Sequence, residues 1–387
     1  LTTSVTAQPS GFSQLGPDID GEAEGDESGQ SVSLSSDGSV LAIGAQNHDG
    51  ARGSTRIYAW NGTAWVQRGS DIDGEADDDE TGVAVSLSSD GNIVAIGSHR
   101  NYVGRTRIFA WDGAAWVQRG SHIDGESWDD QGASYDGVSL SSDGTIVAIG
   151  AQSHDGAKGT TRIYAWNGSA WLKRGSDIDG EAAGDRSGTS VSISGDGTTI
   201  AIGAPYNDGN GKNSGHTRIY RWNGTAWNQL GNDFDGEAEH DHSGSSTSLS
   251  TDGSIVAIGA RYNDGVDAGG DWPRAGEKKG HTRIYQWDGT SWNQLGSDID
   301  GEAAEDRSGQ KVSLSGNGTI VAIGAHENDA NGDKSGHTRI YQWDGNEWTQ
   351  IGSDIDGEAA GDNSGRYNVS LSSDGTTVAI GAHLNDG

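Results

Sequence analysis

The 387-residue chain contains no cysteine and no methionine. The absence of cysteine excludes disulfides, thiolate metal ligands and cysteine nucleophiles. The absence of methionine means that the printed sequence starts after any initiator residue, so we expect a processed product or an excerpt of a longer protein. Long apolar runs are missing too. No stretch approaches the roughly 18 residues that a membrane-spanning helix needs, and the opening residues do not resemble a signal peptide.

Positive charge is also scarce. The chain has 25 Lys and Arg against 57 Asp and Glu, which gives a formal net charge of -32. A surface of this sign repels phosphate backbones, so we expect no nucleic-acid partner. The missing apolar runs likewise predict no insertion into a membrane.

Glycine is abundant, and it follows a repeat. The chain has 64 glycines and only 32% apolar residues, a mixture that would indicate disorder if the sequence were not periodic. The string Asp-Ile-Asp-Gly-Glu-Ala, or a close variant, starts near residues 18, 71, 122, 177, 233, 298 and 354. A period in the fifties of residues suits one blade of a β-propeller.

Each period contains four short β-branched or aromatic runs, bounded by Gly, Asp or Asn, which we name strands A to D. Such runs are typical of strands joined by tight hairpins, and no apolar pattern favours a helix. The chain ends after strands A and B of its last repeat and begins with C-like and D-like segments. We therefore predict an all-β fold: a single domain over residues 1–387, a seven-bladed β-propeller of four-stranded antiparallel blades. Residues 1–17 would complete the C-terminal blade and close the ring.

The segment Ser28–Ala45, followed by Thr55-Arg-Ile-Tyr-Ala-Trp, resembles the FG-GAP repeats of integrin-α-type propellers, and Gly203-Ala-Pro matches the "GAP" element directly. The resemblance implies the seven-bladed fold and an adhesion, lectin-like or assembly role. It does not supply the family's calcium loop, because the A–B turn here is only Ser36-Asp37-Gly38 or an equivalent.

The acidic D–A loop is the first candidate site. Four carboxylates recur there at fixed spacing, and oxygen ligands of this kind suit Ca²⁺, the only cofactor that we expect. The candidate metal ligands are Asp18, Asp20, Glu22, Asp26, Asp71, Asp73, Glu75, Asp79, Asp177, Asp179, Glu181, Asp185, Asp298, Asp300, Glu302, Asp306, Asp354, Asp356, Glu358 and Asp362. Alternatively, these are solvated turns whose carboxylates cap backbone amides or pair with recurrent strand-C arginines such as Arg56 and Arg218.

A Trp-[Asn/Asp]-Gly-x-x-Trp motif occurs six times, first at Trp60 and Trp65. The central dipeptide is a strong hairpin signal, and because the motif recurs in every complete repeat we interpret the tryptophans as packing residues rather than a sugar-stacking site. Three of these turns are also N-glycosylation sequons, at Asn61, Asn167 and Asn223. In a secreted eukaryotic protein they would be glycosylated on one face of the ring.

The B–C loops vary most between repeats, so a unique ligand site is expected there. The candidate ligand-binding residues are Arg100, Tyr102, Trp272, Arg274, Lys278 and Lys279. Histidines such as His216, His281 and His337 occupy equivalent positions in separate blades, so we expect them not to converge on a zinc site or a catalytic triad.

We therefore expect a non-catalytic, acidic binding or adhesion propeller, extracellular or at the cell surface, that presents its loops to a glycan or protein partner. The alternative is a structural subunit of a larger surface complex or filament. A hydrolase or lyase is a weaker hypothesis, because an acid and a base need distinct environments and the acidic loops are repeated.

Overall fold

The computed structural model describes residues 2–8, 11–99, 103–126, 137–263 and 278–385. Their secondary structure is almost entirely strand, arranged as six five-stranded sheets and one four-stranded sheet. We call the five-stranded sheets blades 1 to 6 in chain order. Within the described ranges, no helix is long and apolar enough to cross a membrane.

The strands follow the repeats. The chain starts with β1 (Thr2–Gln8) and β2 (Gly11–Gln14). Blade 1 contains β3 (Ser28–Leu34), β4 (Val40–Ala45), β5 (Ser54–Trp60), β6 (Trp65–Gln67) and β7 (Ile72–Asp73). Blade 2 contains β8 (Ala84–Leu87), β9 (Ile93–Ser98), β10 (Arg105–Trp111), β11 (Trp116–Gln118) and β12 (Ile123–Asp124). Blade 3 contains β13 (Val138–Leu140), β14 (Ile146–Ala151), β15 (Thr160–Trp166), β16 (Trp171–Lys173) and β17 (Ile178–Asp179).

The second half repeats this order. Blade 4 contains β18 (Ser190–Ile193), β19 (Thr199–Ala204), β20 (His216–Trp222), β21 (Trp227–Gln229) and β22 (Phe234–Asp235). Blade 5 contains β23 (Ser243–Leu249), β24 (Ile255–Ala260), β25 (His281–Trp287), β26 (Trp292–Gln294) and β27 (Ile299–Asp300). Blade 6 contains β28 (Lys311–Leu314), β29 (Ile320–Ala325), β30 (His337–Trp343), β31 (Trp348–Gln350) and β32 (Ile355–Asp356). The chain ends with β33 (Val369–Leu371) and β34 (Thr377–Gly381), and the two helical turns are α1 (His48–Ala51) and α2 (His154–Ala157).

The prediction of seven equivalent four-stranded blades is wrong. The six blades have five strands each, because the first residues of the acidic loop that leaves each blade form a short strand that pairs with the third strand of that blade. In blade 4, for example, Asp235 lies opposite His216 and Phe234 opposite Thr217. The remaining sheet is smaller and differs in kind: it has four strands in the order β2-β1-β34-β33 and joins the two ends of the chain. The sequence analysis missed the extra strand because two residues carry too little pattern to indicate one.

Two circles of hydrogen bonds connect the innermost strands. In the first circle, a serine hydroxyl of each inner strand accepts the backbone N–H of the next, as Ser139 does from Ile193 at 3.1 Å and Ser370 does from Leu34 at 3.0 Å. The second circle joins the turns that follow these strands, through backbone N–H to C=O bonds of 2.7 to 2.9 Å. It runs from Ser36 through Ser89, Ser142, Gly195, Thr251, Gly316 and Ser373 back to Ser36. The small polar residues at these positions therefore hold the centre of the ring together.

The core lies between neighbouring sheets. Between blades 3 and 4 it includes Ile163, Ile178, Ile200 and Ile202, packed against one another in a single cluster. The glycine of the Ile-Gly-Ala run in the second strand is required sterically. At Gly203, for example, a Cβ would lie 2.0 Å from the carbonyl oxygen of Gly244 in the next blade. Glycine thus permits the close approach of two backbones that draws adjacent blades together.

One face of the propeller carries both the acidic loops and the loops between the second and third strands, which we call BC loops. Backbone hydrogen bonds connect the two kinds of loop, such as His240 N–H to the carbonyl of Lys212 at 2.8 Å and Asn47 N–H to that of Asp26 at 3.2 Å. We call this side the loop face. Of the candidate sites that the structure describes, the acidic loops and Lys278 and Lys279 lie on this face, and the tryptophan hairpins do not.

Candidate functional site

In the six acidic loops that the structure describes in full, the fourth carboxylate stabilises its own loop. Asp185 is 4% exposed, and its Oδ2 accepts the backbone N–H of Ala182 at 2.9 Å. The same bond occurs at Asp26, Asp79, Asp241, Asp306 and Asp362. Asparagine or histidine side chains of the BC loops bind several of these carboxylates, as Asn207 does at Asp185 (3.0 Å) and His48 at Asp26 (2.9 Å). This carboxylate is therefore already engaged by protein groups.

The second Asp contributes its backbone rather than its carboxylate to the repeated pattern. The guanidinium of Arg218 donates to the carbonyl oxygen of Asp179 at 2.7 Å, across the junction from blade 3 to blade 4. Arg56, Arg107, Arg283 and Arg339 make the equivalent bond to Asp20, Asp73, Asp235 and Asp300. The strand-C arginines thus do pair with the acidic loops, but mainly through main-chain oxygen.

The first and third carboxylates do converge, but between successive loops and around a histidine. Among the described residues, three or more potential metal-ligand atoms lie within 4.8 Å of one another in three groups only: Glu181, His216 and Asp233; Glu237, His281 and Asp298; Glu302, His337 and Asp354. Each group has one Glu from the loop entering a blade, a His that begins the third strand of that blade, and the first Asp of the loop leaving it. We call these the His–carboxylate triads of blades 4, 5 and 6.

The triad geometry is nearly the same in all three blades. Nδ1 of His216 lies 3.8 Å from Glu181 and 3.7 Å from Asp233. Nδ1 of His281 lies 3.7 Å from Glu237 and 3.5 Å from Asp298. Nδ1 of His337 lies 3.8 Å from Asp354. The other oxygen of each Asp accepts a hydrogen bond from a glutamine of the fourth strand, namely Gln229, Gln294 and Gln350.

The triad histidines are buried while their carboxylates reach solvent. The His216, His281 and His337 side chains are at most 1% exposed, and each triad Glu is 47% to 50% exposed. Burial, with the nearby strand-C arginine, lowers the pKa of all three imidazoles, in His281 to about 4. The rings are therefore neutral at pH 7, which is the form that binds metal ions.

Acidic-loop carboxylates in blades 2 and 3 are neutralised by cationic side chains, although in blade 2 His122 stands in place of the first Asp. In blade 3, Nζ of Lys173 contacts Glu126 at 3.2 Å and also contacts Asp177. In blade 2, the Arg105 guanidinium contacts Glu75 and lies 2.7 Å from Asp124. Where blades 4 to 6 have histidine, blades 1 to 3 have Ser54, Arg105 and Thr160.

Sequence reasoning missed the triads. It predicted that histidines in separate blades would not converge on a metal site, and the three rings indeed belong to different blades. However, each meets two carboxylates from successive loops. The sequence did contain a signal. Blades 4 to 6 combine a histidine at the start of strand C with a glutamine in the fourth strand, at the position where blade 3 has Lys173.

The tryptophan hairpins form packed pairs. Trp60 and Trp65 lie opposite each other across the hairpin with ring centroids 5.5 Å apart, and the other five pairs lie at 5.4 to 5.5 Å. Nε1 of Trp65 also donates to the carbonyl of Leu15 at 3.1 Å. The sequon residues Asn61, Asn167 and Asn223 are exposed, and their side chains close the same turns by accepting backbone N–H groups. Their glycosylation stays a prediction.

A row of stacked aromatic and cationic side chains crosses the loop face of blades 4 to 6. Arg186 lies over the Tyr206 ring at 4.5 Å, Tyr206 contacts His242 at 4.6 Å, His242 contacts Tyr262 at 4.8 Å, and Arg307 lies over Tyr262 at 5.0 Å. We call these five residues the aromatic row. Arg186 is exposed, the two tyrosines and Arg307 are half-buried, and His242 is buried. Burial first, and then Arg261, His240 and Arg186, lower the pKa of His242 to about 3.

The predicted ligand-binding residues are only partly described. Arg100, Tyr102, Trp272 and Arg274 lie outside the described residues. Lys278 lies beside the aromatic row, 5.9 Å from the Tyr262 ring centre and 3.3 Å from Glu305. Lys279 takes part through its backbone carbonyl, which accepts the N–H of Ser308 at 2.8 Å. Sequence reasoning missed the aromatic row because its members come from separate loops.

The central channel contains a cavity of about 150 Å³ on the loop-face side of the serine circle. Its lining includes Lys311, Asn368, Thr247 and small hydroxyl or aliphatic residues of the inner strands. Gln310, next to Lys311, accepts a hydrogen bond from Arg261 at 3.3 Å. Arg261 also lies over the Tyr262 ring at 4.9 Å, so this side of the channel is adjacent to the aromatic row.

Two segments of the chain, residues 178–220 and 298–341, match the family model described as FG-GAP repeat. No curated protein matches the chain. Several solved structures share the fold. Hydrazine synthase of Kuenenia stuttgartiensis aligns with a TM-score of 0.59 at 12% identity, covering 94% of both chains. A candidate 6-phosphogluconolactonase of Bacteroides uniformis aligns with a TM-score of 0.58 at 11% identity, covering 85% of both chains.

A protein of Lactobacillus plantarum aligns with a TM-score of 0.56 at 13% identity, covering 84% of both chains. At such identities the likeness shows the fold alone and transfers no active site. The FG-GAP repeats and the propeller fold together fit a non-catalytic binding propeller at a coarse level.

Proposed function

We propose that the protein is an extracellular or cell-surface binding propeller, without catalytic activity, whose loop face takes an acidic glycan or an acidic segment of a protein through the aromatic row. The observation that carries this proposal is the concentration of cations at one place of a chain with net charge -32. Arg186, Arg307 and Arg261 all lie against tyrosine rings there, at 4.5 to 5.0 Å.

The chemistry of the row favours a sugar ligand with carboxylate or sulfate groups. Half-buried tyrosine rings offer apolar faces for stacking, and arginine forks bind planar or tetrahedral anions with two hydrogen bonds. The remaining surface is acidic and repels the same ligand, which restricts binding to the row.

The proposal is tested with a glycan array that contains neutral, uronate-containing and sulfated oligosaccharides. We expect signal on the acidic glycans only, reduced more than tenfold in the double variant Arg186→Gln/Arg307→Gln. The matched control is Arg68→Gln. The Arg68 guanidinium lies 4.8 Å from the Trp111 ring of a tryptophan hairpin, so its removal should leave binding unchanged. Absence of signal on every acidic glycan, or equal signal in the double variant, would contradict the proposal.

Calcium in the acidic loops stays a prediction. The buried fourth carboxylate is engaged by its own loop, so Ca²⁺ would have to use the exposed second and third carboxylates, such as Asp20 and Glu22. A metal ion that binds only the folded state raises the melting temperature. Equal melting temperatures with Ca²⁺ and with EDTA would remove calcium from the proposal.

A further inference from the structure

The three His–carboxylate triads contain buried imidazoles that hydrogen bonding does not satisfy. Among the described residues, neither ring nitrogen of His216 or of His337 has a hydrogen-bond partner, and Nε2 of His281 has none. A buried polar atom without a partner costs about 1–3 kcal/mol, and here that cost is repeated in three blades. The side chains beside these rings include two carboxylates. An ionised carboxylate cannot donate a hydrogen bond to an imidazole nitrogen, and the two negative charges repel each other.

The distances fit ligands around a shared ion better than they fit direct hydrogen bonds. A charge-assisted N–H to carboxylate bond is about 2.7–2.9 Å long. Two ligands bound at about 2.0–2.1 Å to one tetrahedral ion lie about 3.3 Å apart. The Nδ1 atoms lie 3.5 to 3.8 Å from the carboxylate oxygens.

The other blades show what this position requires. In blade 3 the ammonium of Lys173 contacts both equivalent carboxylates, Glu126 and Asp177. In blade 2 His122 stands in place of the first Asp, and the guanidinium of Arg105 contacts Glu75 and the second Asp, Asp124. Blades 4 to 6 have a glutamine where blade 3 has Lys173, and they place an imidazole beside the same pair. Their strand-C arginines remain near the triad Glu, with Arg218 at 4.0 Å, Arg283 at 3.7 Å and Arg339 at 3.6 Å, and each also hydrogen bonds to the backbone of the preceding loop. The ammonium that joins the Glu and the first Asp in blade 3 is thus replaced in blades 4 to 6 by the neutral amide of a glutamine, which leaves the Asp of each triad without that cation.

We propose that each triad of blades 4, 5 and 6 binds one divalent transition-metal ion of the zinc class, with His Nδ1 and two carboxylate oxygens as ligands. Imidazole nitrogen suits Zn²⁺ and its neighbours, whereas Ca²⁺ takes oxygen ligands, so the histidine selects against calcium at these three places. Hydrogen bonds from Gln229, Gln294 and Gln350 orient the Asp ligands. This inference is independent of the loop-face function.

The ions would connect successive repeats. In each triad the Glu lies in the loop that enters the blade, while the His and the Asp belong to the third strand and the exit loop of the blade. A bound ion therefore ties the entrance of a blade to its exit, and it stabilises the folded state by the mass action of a ligand that binds the native chain.

The test uses the full chain, freed of metal with a chelator and titrated with ZnCl₂ by calorimetry in excess CaCl₂, which occupies all-oxygen surface sites. We expect three zinc ions per chain. Each of the variants His216→Thr, His281→Thr and His337→Thr, which copy the residue of blade 3, should lower the stoichiometry by one. An unchanged stoichiometry in these variants, or no zinc binding in excess calcium, would overturn the proposal.

A second set of variants separates metal binding from damage to the fold. Gln229→Lys, Gln294→Lys and Gln350→Lys install the ammonium of blade 3, so each should remove one zinc ion while the melting temperature without metal stays equal or rises. Gln67→Lys in blade 1, where Ser54 replaces the histidine, is the matched control and should leave the zinc count at that of the parent chain. Loss of zinc in this control, or retention of zinc in the Gln229→Lys variant, would contradict the assignment.

Discussion

Blades 1 to 3 and blades 4 to 6 share one backbone plan but differ in the charges on the loop face. The first three begin their third strand with Ser54, Arg105 and Thr160, and the last three begin it with histidine. Cationic side chains neutralise the acidic loops in blades 2 and 3. The triads and the aromatic row lie in the second half. The same strands thus support two kinds of loop chemistry, because the strands carry the fold and the loops carry the differences.

The outer rim differs between the halves as well. In blades 1 to 3 the fourth strand exposes an aliphatic residue opposite an alanine: Val66, Val117 and Leu172, at 50%, 51% and 53% exposure. In blades 4 to 6 the same positions hold Asn228, Asn293 and Thr349, opposite Arg or Gln. The polar change on the rim therefore accompanies the change on the loop face.

The largest effect is expected where the halves are alike. Ile163 of blade 3 and Ile219 of blade 4 are equivalent core residues, at 1% and 0% exposure. We expect Ile163→Ala and Ile219→Ala each to lower the free energy of unfolding by about 3 kcal/mol, because both leave a cavity between sheets. Chemical denaturation measures the free energy of unfolding of both variants. A difference of more than about 1.5 kcal/mol between the two variants would show that the cores of the halves are not equivalent.

The pH dependence should have opposite signs in the two halves. In blade 1, the hydrogen bond to Asp26, supported by Glu22 and Asp73, raises the pKa of His48, so this residue stabilises the fold below its ordinary pKa and the contribution is lost as pH rises. In the aromatic row, burial, together with Arg261, His240 and Arg186, lowers the pKa of His242 to about 3. Its contribution is complete above the ordinary histidine pKa and is lost as pH falls.

Denaturation at pH 7 and pH 5 measures both effects. His242 alone should cost about 2 kcal/mol of unfolding free energy at pH 5, because the unfolded histidine is protonated there and the folded one is not. His242→Phe, between Tyr206 and Tyr262, should reduce the loss of stability on acidification. His48→Asn should increase that loss. A larger loss of stability in His242→Phe, or a smaller loss in His48→Asn, would contradict the account of the two halves.

The smallest effect is expected on the rim. Replacing Val66, Val117 and Leu172 by Asn, Asn and Thr, the residues of blades 4 to 6, should change the free energy of unfolding by less than about 0.5 kcal/mol per site, since half-exposed side chains lose little burial. Thermal and chemical denaturation of the triple variant check this. A loss above about 1 kcal/mol per site would show that these side chains support the hairpins.

Sequence reasoning recovered the propeller, the strand order and the packing of the tryptophan pairs, because each of these rests on patterns that recur in every repeat. It did not recover the fifth strand of each blade, since Ile178-Asp179 is too short for a periodic signal. It also grouped the four carboxylates of one loop, whereas the structure uses Asp185 inside its loop and joins Glu181 to Asp233 of the next. Contacts between successive loops depend on the blade geometry, which a linear motif does not contain.

The central claim is that a histidine and a glutamine, replacing Thr160 and Lys173 of blade 3, convert a carboxylate pair neutralised by the protein into a metal site. The most direct measurement is therefore the zinc stoichiometry of Thr160→His/Lys173→Gln, determined by calorimetry in excess calcium. The account predicts one zinc ion more per chain than in the parent. An unchanged zinc count in this variant, with the fold intact by circular dichroism, would contradict it.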